Sequence, residues 1–126
     1  MGAYREVFQA SLTDPEAFWA QAAEAVNWSR APRRVLDRDN PPFYRWFPDS
    51  ELNTCANALD RHVSGGRGDQ SALIYDSPVT GTKMTYTYRE LLNQTALFAG
   101  ALRDLGVCKG DRVVLYMPMI PEAVIA

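Results

Sequence analysis

One stretch of the chain constrains the fold more than any other, because it carries helix signals at both ends. Thr87 and Glu90 form the Thr-x-x-Glu pattern of a capping box, in which each side chain serves a backbone donor at the helix start. Apolar residues then recur at intervals of three and four up to Leu105, and Gly106 supplies a typical C-terminal stop. The pattern predicts one long amphipathic helix.

Strand signals lie on both sides of this helix. Residues 72–75 and 83–87 predict the two strands of a hairpin, joined by the turn-forming residues 77–81. Residues 113–116 form a continuous apolar run, which is typical of a strand buried on both faces of a parallel sheet. Strand, helix and buried strand in this order predict an α/β fold with a right-handed βαβ crossover.

The N-terminal half reads as a helical and extended arm. Residues 4–12 and 15–26 have helical apolar spacing, and Asp14 with Pro15 predicts the start of the second helix. Residues 27–50 mix prolines with aromatic side chains, so we expect an ordered but irregular arm laid across a larger surface. Asn53 is expected to cap a short helix to His62.

Two further sequence features, a glycine-rich stretch and a C-terminal proline, bear on whether the predicted domain is complete. The glycines of residues 65–68 predict a flexible break, and Pro121 opens a helix of which one turn is present. A hairpin and one strand with a single covering helix leave sheet edges and a face bare. The residues therefore predict an α/β domain that is incomplete at its C-terminus.

Composition excludes several classes of function. Thirteen Lys and Arg against fifteen Asp and Glu give a net charge of −2, without a long run of either sign, which argues against binding nucleic acid or an anionic membrane. Cys55 and Cys108 lack metal-ligand spacing, so neither a zinc site nor a disulfide framework is predicted. There is no secretory signal pattern and no apolar stretch of spanning length, so secretion and membrane insertion are not expected.

The candidate catalytic and ligand-binding residues have simpler structural interpretations. His62 is the one histidine, so a metal cluster is not expected, and a role at a helix end is favoured over a catalytic triad. Residues 65–69 are rich in glycine but lack the Lys-Ser/Thr pair of a phosphate-binding loop. Residues 67–69 spell an adhesion tripeptide, which would require secretion. The aromatic residues 43–47 are expected to pack rather than to stack bases.

Several blocks together resemble a known family. Residues 106–123, with Tyr116 to Glu122 reading YMPMIPE, resemble acetyl- and propionyl-CoA synthetases. Residues 14–19, 45–47 and 52–62 resemble the N-terminal extension of the same family. Residues 85–91 are similar to adenylate-forming enzymes in general, and residues 74–83 resemble the animal mitochondrial propionyl-CoA synthetases.

The resemblance implies a domain division and a reaction. Residues 1–62 would be the N-terminal extension, and residues 63–126 the truncated start of an adenylate-forming, AMP-binding domain. The parent would be an AMP-forming ligase that activates propionate or acetate with ATP to an acyl-adenylate, which CoA then attacks. ATP, CoA and Mg²⁺ are implied for that parent, and the remainder of its own domain is the implied partner. Mitochondrial matrix is the implied compartment, with cytoplasm as the alternative.

No catalytic, cofactor-binding or metal-binding residue is assigned within this chain. Lys83 and Lys109 are its only lysines, and neither lies in a motif that resembles the family's catalytic ones. The resemblance implies that the phosphate loop, acyl pocket and catalytic lysine lie beyond Ala126, so the isolated chain is expected to be inactive. One alternative is a non-catalytic module that docks on a full-length synthetase, and another is a secreted adhesion module.

Overall fold

The computed structural model describes residues 2–126, which form two compact units that divide between Asn57 and Ala58. Met1, which the predicted division includes, lies outside the described residues. The chain contains both helices and strands, as expected for the predicted mixed α/β class. No helix within residues 2–126 combines the length and apolar character needed to cross a membrane.

The first unit opens with two helices, α1 (Gly2–Thr13) and α2 (Pro15–Ala23). The predicted cap is confirmed, because Asp14 Oδ1 accepts the backbone N–H of Ala17 at 3.0 Å. α2 ends earlier than predicted, at Ala23, because the next N–H groups bond to carbonyls three residues back. The Ala23 carbonyl accepts both the Val26 N–H at 3.1 Å and Trp28 Nε1 at 2.9 Å.

The prediction that residues 27–50 lack regular structure is wrong. Strand β1 (Trp28–Arg30) pairs antiparallel with β4 (Glu51–Leu52), and β2 (Leu36–Asp37) pairs antiparallel with β3 (Arg45–Trp46). The prolines are compatible with these ladders because they all lie in the connections between strands, where no ladder donor is needed.

Helical turns at Ala56–Asp60 and Val63–Arg67 follow, both of the wide π type. Asn53 caps this stretch as predicted, because its Oδ1 accepts the Ala56 N–H at 2.9 Å. The predicted break at residues 65–68 is present as a kink at Gly66 within Val63–Arg67, and its flexibility stays a prediction. Gly66 adopts a φ of 82°, which only glycine adopts freely, and this permits the kink.

The second unit contains the predicted hairpin and long helix. β5 (Ser71–Ser77) pairs antiparallel with β6 (Thr82–Thr87), with Tyr75 opposite Met84 and Leu73 opposite Tyr86. Helix α3 (Tyr88–Asp104) begins at the confirmed capping box and ends at Leu105, after which Gly106 has a φ of 89°. Helix α4 (Pro121–Ile125) begins at the predicted proline.

The predicted buried strand at 113–116 is not formed. The segment has no strand partner within residues 2–126, and all four of its side chains are exposed, so the predicted βαβ crossover is not closed either. A β-strand exists only when a neighbour accepts and donates its ladder hydrogen bonds. The hairpin does not offer one, so the apolar run stays extended and unpaired. The bare sheet edges expected from the sequence are consistent with this arrangement.

Candidate functional site

The most conspicuous surface of the second unit is the apolar run that follows α3. We call residues 113–117 the unpaired segment. Tyr116 is fully exposed and Val114 is 86% exposed, and the neighbouring Met119 is 87% exposed. Side chains of this kind are normally withdrawn from water, because each stabilises a fold by roughly 1.5–3 kcal/mol when it is buried. The unpaired segment therefore has the composition of a core strand without the core around it.

The chain on both sides of the unpaired segment is ordered by local contacts. Asp111 Oδ2 accepts the Cys108 N–H at 2.7 Å and fixes the turn that leads into the segment. On its far side, Pro121 is buried at the start of α4. A cavity of about 350 Å³ lies between α3 and α4, and Leu97, Phe98, Met117 and Ile125 are among its lining residues. The segment is thus held at both ends and free in the middle.

The start of α3 is joined to the preceding turn by backbone hydrogen bonds. The N–H of Tyr88 donates to the Gln70 carbonyl, and the N–H of Arg89 donates to the Gly68 carbonyl, each at 3.0 Å. These are two of the donors that a helix start leaves without intrahelical partners. The hydrogen bonds from Thr87, first through its backbone and then through its hydroxyl, lower the pKa of the Glu90 carboxyl.

His62 lies beside this helix start. It occupies the N-cap position of Val63–Arg67, as the predicted role at a helix end requires, but its side chain makes no capping hydrogen bond there. Its ring is 4.8 Å from the Tyr88 ring, measured between centroids, and its Nδ1 is 3.3 Å from Arg67 Nη1. The structure therefore brings together His62, part of the glycine-rich turn and α3, which the sequence left separate. Short-range sequence patterns could not predict the contact between His62 and Tyr88, because the two residues are far apart in the sequence.

In the first unit, Trp46 and Phe47 pack against other aromatic rings as expected from the sequence, whereas Phe43 and Tyr44 are 74% and 54% exposed. Trp46 contacts Trp19 with ring centroids 6.0 Å apart, and Phe47 contacts Trp28 at 5.5 Å. Phe47 has a φ of 48°, a left-handed conformation that costs a bulky residue energy and that directs its ring into this cluster. Cavities of about 320 Å³ and 280 Å³ both have Phe47 in their walls. The four rings form one aromatic cluster, in which Trp19 and Trp46 remain 45% and 47% exposed.

The acidic and basic residues of the first unit form ion pairs rather than a catalytic pair of carboxylates. Asp37, which is only 6% exposed, accepts from the Asp39 N–H at 3.0 Å and from Arg45 Nη2 at 2.7 Å. These hydrogen bonds, the backbone one first, lower the pKa of Asp37. Arg34 also reaches Asp37, at 3.2 Å. Asp37 is thus a buried acid and not a solvated one, because the β2–β3 ladder places it among these donors.

A side-chain amide closes the same unit. Asn57 Oδ1 accepts the backbone N–H of Asn27 at 2.8 Å, and Asn57 Nδ2 donates to the Asn27 carbonyl at 2.9 Å. The amide thus satisfies both polar groups of one residue, as a neighbouring strand would do. No sequence signal assigned this role to Asn57, because its partner is 30 positions away.

The remaining candidate residues do not converge. Lys83 pairs with Asp76 across the hairpin at 2.8 Å, and Lys109 is exposed in the turn before the unpaired segment. Cys55 is half-buried, whereas Cys108 is exposed and its thiol donates to the Gly106 carbonyl at 3.4 Å. Throughout residues 2–126, no three His, Cys, Asp or Glu side chains come together as metal ligands would.

Comparison with protein families divides the chain into two consecutive matches. Residues 4–58 match the family described as acetyl-coenzyme A synthetase N-terminus, and residues 59–126 match the family described as AMP-binding enzyme. The second match covers more than half of the chain.

Individual proteins give the same result. The chain is 52% identical over 120 residues to acyl-CoA synthetase short-chain family member 3, mitochondrial, of Homo sapiens, which is 95% of this chain and 18% of that protein. It is 42% identical over 127 residues to acetyl-coenzyme A synthetase of Paraburkholderia phymatum, covering 100% of this chain and 19% of that protein. The chain spans about a fifth of the length of such relatives.

A solved structure shares the fold. Acetoacetyl-CoA synthetase from Streptomyces lividans matches with a TM-score of 0.83 and 37% sequence identity, over 99% of this chain and 19% of that one. The similarity extends through the unpaired segment, since nearly the whole chain is covered.

Proposed function

The chain belongs to the AMP-binding enzymes and carries the N-terminus of an acetyl-coenzyme A synthetase, and from this membership we propose that the whole protein is an AMP-forming acyl-CoA ligase. In the proposed reaction a short carboxylate attacks the α-phosphorus of ATP, which releases pyrophosphate and forms an acyl-adenylate. The thiol of CoA then attacks the acyl carbon, and AMP leaves. Membership of the family supports this reaction class.

Within that ligase, residues 1–62 act as the N-terminal extension and residues 63–126 as the start of the adenylate-forming domain. The observation that supports this role best is the unpaired segment. Its exposed side chains, Val114 and Tyr116 above all, become the core of a larger sheet when flanking strands of the same domain pair with it. The remainder of the adenylate-forming domain is thus the partner that covers the segment.

The reactive groups are assigned to the part of the ligase outside residues 1–126. A carboxylate is a poor electrophile, so its activation requires groups that stabilise the charge that develops on the phosphates. Lys83 is held by Asp76, and residues 2–126 bring together no carboxylate cluster suited to a metal ion. We therefore assign ATP, CoA and Mg²⁺ binding to other parts of the protein and expect the 126-residue chain alone to be inactive.

For the acyl substrate we propose propionate, with acetate as the second candidate. The hairpin of residues 74–83 carries the resemblance that supports propionate. The human relative is named mitochondrial, and on this ground we propose the mitochondrial matrix as the compartment, with cytoplasm as the alternative.

Pyrophosphate exchange with the full-length protein tests the reaction. ATP–pyrophosphate exchange that depends on propionate, and more weakly on acetate, is the expected result, and the 126-residue chain should show none. Absence of exchange with any short carboxylate in the full-length protein would sink the ligase assignment. Exchange by the short chain alone would show that reactive groups lie within it.

A matched pair of substitutions tests the role of the unpaired segment. Val114→Asp places a charge where we expect a buried strand, whereas Val79→Asp places one at a hairpin turn, where Val79 is 92% exposed. In the full-length protein V114D should abolish soluble, active enzyme and V79D should not, because an unpaired buried charge is strongly destabilising. Equal tolerance of both would contradict burial. If the short chain instead co-purifies with a separate synthetase, the docking-module alternative gains.

A further inference from the structure

Four side chains surround the glycine-rich turn at the start of α3, and we call them the His62 latch: His62, Arg67, Gln70 and Tyr88. Arg67 makes three contacts in it. Its Nη1 is 3.3 Å from His62 Nδ1, its Nε donates to Gln70 Oε1 at 2.8 Å, and its guanidinium carbon lies 5.4 Å from the centre of the Tyr88 ring. His62 contacts the same Tyr88 ring from its own side, at 4.8 Å.

The latch sits directly over a backbone connection. The turn between Arg67 and Gln70 supplies the two carbonyls, of Gly68 and Gln70, that accept from the first N–H groups of α3. Gly68 is buried and packs against the Arg89 side chain, which also reaches Asp69 at 3.2 Å. Whatever loosens the latch therefore loosens the support of the helix start.

The protonation state of His62 decides whether the central contact can exist. A guanidinium only donates hydrogen bonds, so at 3.3 Å the His62 Nδ1 must accept, which requires that Nδ1 carries no proton. When the imidazole is protonated, both ring nitrogens become donors and the ring becomes a cation. The contact is then replaced by two positive groups that face each other.

We propose that the His62 latch is a pH-sensitive device that clamps the residue 65–70 turn to the start of α3 when His62 is neutral and releases it when His62 is protonated. Histidine is the side chain whose ordinary pKa lies between pH 5 and 8, so mild acidification acts on this position first.

The charged surroundings fix the direction of the response. Burial, followed by the charges of Arg67 and Arg61, lowers the pKa of His62 below its ordinary 6.5. Arg67 faces the ring from the glycine-rich turn, Arg61 lies on the ring's own helical stretch, and the phenol of Tyr88 belongs to α3. In the released turn the ring is in water and takes up a proton more readily. The clamp is therefore fully present above about pH 6.5 and weakens as pH falls toward the lowered pKa.

Amide hydrogen exchange of the full-length protein tests the proposal, read at the Tyr88 and Arg89 amides that the turn holds. After correction for the intrinsic pH dependence of exchange, their protection factors should fall at least about threefold from about pH 7.5 to about pH 5. In His62→Gln the fall should disappear, because the amide oxygen accepts from Arg67 without titrating. A flat wild-type profile, amides unprotected at every pH, or an H62Q profile that still falls would each overturn the proposal.

A second variant keeps the test decisive if H62Q does not fold. Arg67→Gln removes the facing cation, so the pKa of His62, read from its ring proton shifts, should rise and the fall in protection should shrink. Arg103→Gln is the matched control, since it removes an exposed guanidinium from the last turn of the same helix. R103Q should keep the wild-type profile and the wild-type pKa of His62. If R103Q changes them as much as R67Q does, the latch is not the cause.

Discussion

Replacing Thr87 by alanine should lower the free energy needed to open the start of α3, because it removes hydrogen bonds of the capping box. Thr87 Oγ1 accepts the Glu90 N–H at 3.2 Å, and Glu90 Oε2 accepts from the Thr87 N–H at 2.8 Å and from the Thr87 hydroxyl at 2.9 Å. The substitution removes the first and third bonds and leaves the second. Loss of a Thr or Ser cap costs about 1 kcal/mol, which corresponds to about a fivefold change in an opening equilibrium.

Because the chain has two units, a local probe is preferable to global unfolding. Exchange of the Leu91 and Leu92 amides reports opening of the first helical turn, and in T87A it should quicken about fivefold. Thr87→Ser keeps the hydroxyl and serves as the matched control, with exchange close to wild type. Equal acceleration in T87S and T87A, or no acceleration in T87A, would refute the capping argument.

Two further predictions concern single contacts. Asp37→Asn should destabilise the first unit at neutral pH and flatten its acid response. Because the pKa of Asp37 is lowered, its contribution to the stability of the first unit is present above the ordinary value of 3.8 and is lost as pH falls through the lowered pKa. All the tryptophans lie in that unit, so their fluorescence measures its acid unfolding. An unchanged midpoint of acid unfolding in D37N would contradict this prediction. Gly68→Ala should displace Arg89 from Asp69, because the added Cβ would lie 2.5 Å from Arg89 Nη2, whereas Gly65→Ala meets nothing within 4 Å. The Arg89 Nε–H resonance should shift in G68A and not in G65A, and equal shifts in both would exclude the close approach as the cause.

Local signals in the sequence predicted the elements that depend on neighbours in the chain. The capping box of Thr87 and Glu90, the Asp14 and Asn53 caps and the Gly106 stop all act within one helical turn, and all are confirmed. The hairpin is equally local, because one short turn sets its register. The blocks that resemble the synthetase family were also sufficient to predict the family, which the comparisons confirm.

The elements that depend on distant partners could not be predicted in this way. The short ladders of the first unit rest on pairs such as Trp28 with Leu52, and Asn57 closes the unit across 30 positions. At residues 113–116 the sequence predicted a strand that the structure does not form. Its apolar composition favours a strand, but pairing is a property of two segments, and its partner is not among residues 2–126. The His62 latch was missed for the same reason, since no short-range pattern links His62 to Tyr88.

The unpaired segment has a consequence for biosynthesis of the proposed ligase. Translation proceeds from the N-terminus, so these apolar residues leave the ribosome before any later strand that could pair with them exists. Exposed apolar residues with open ladder groups are the features that drive nascent chains to aggregate. The anchored turn at Asp111 and the helix at Pro121 hold the segment at both ends during that interval and limit its reach toward neighbouring chains. In the proposed ligase, this stretch would stay exposed to water until a later strand pairs with it.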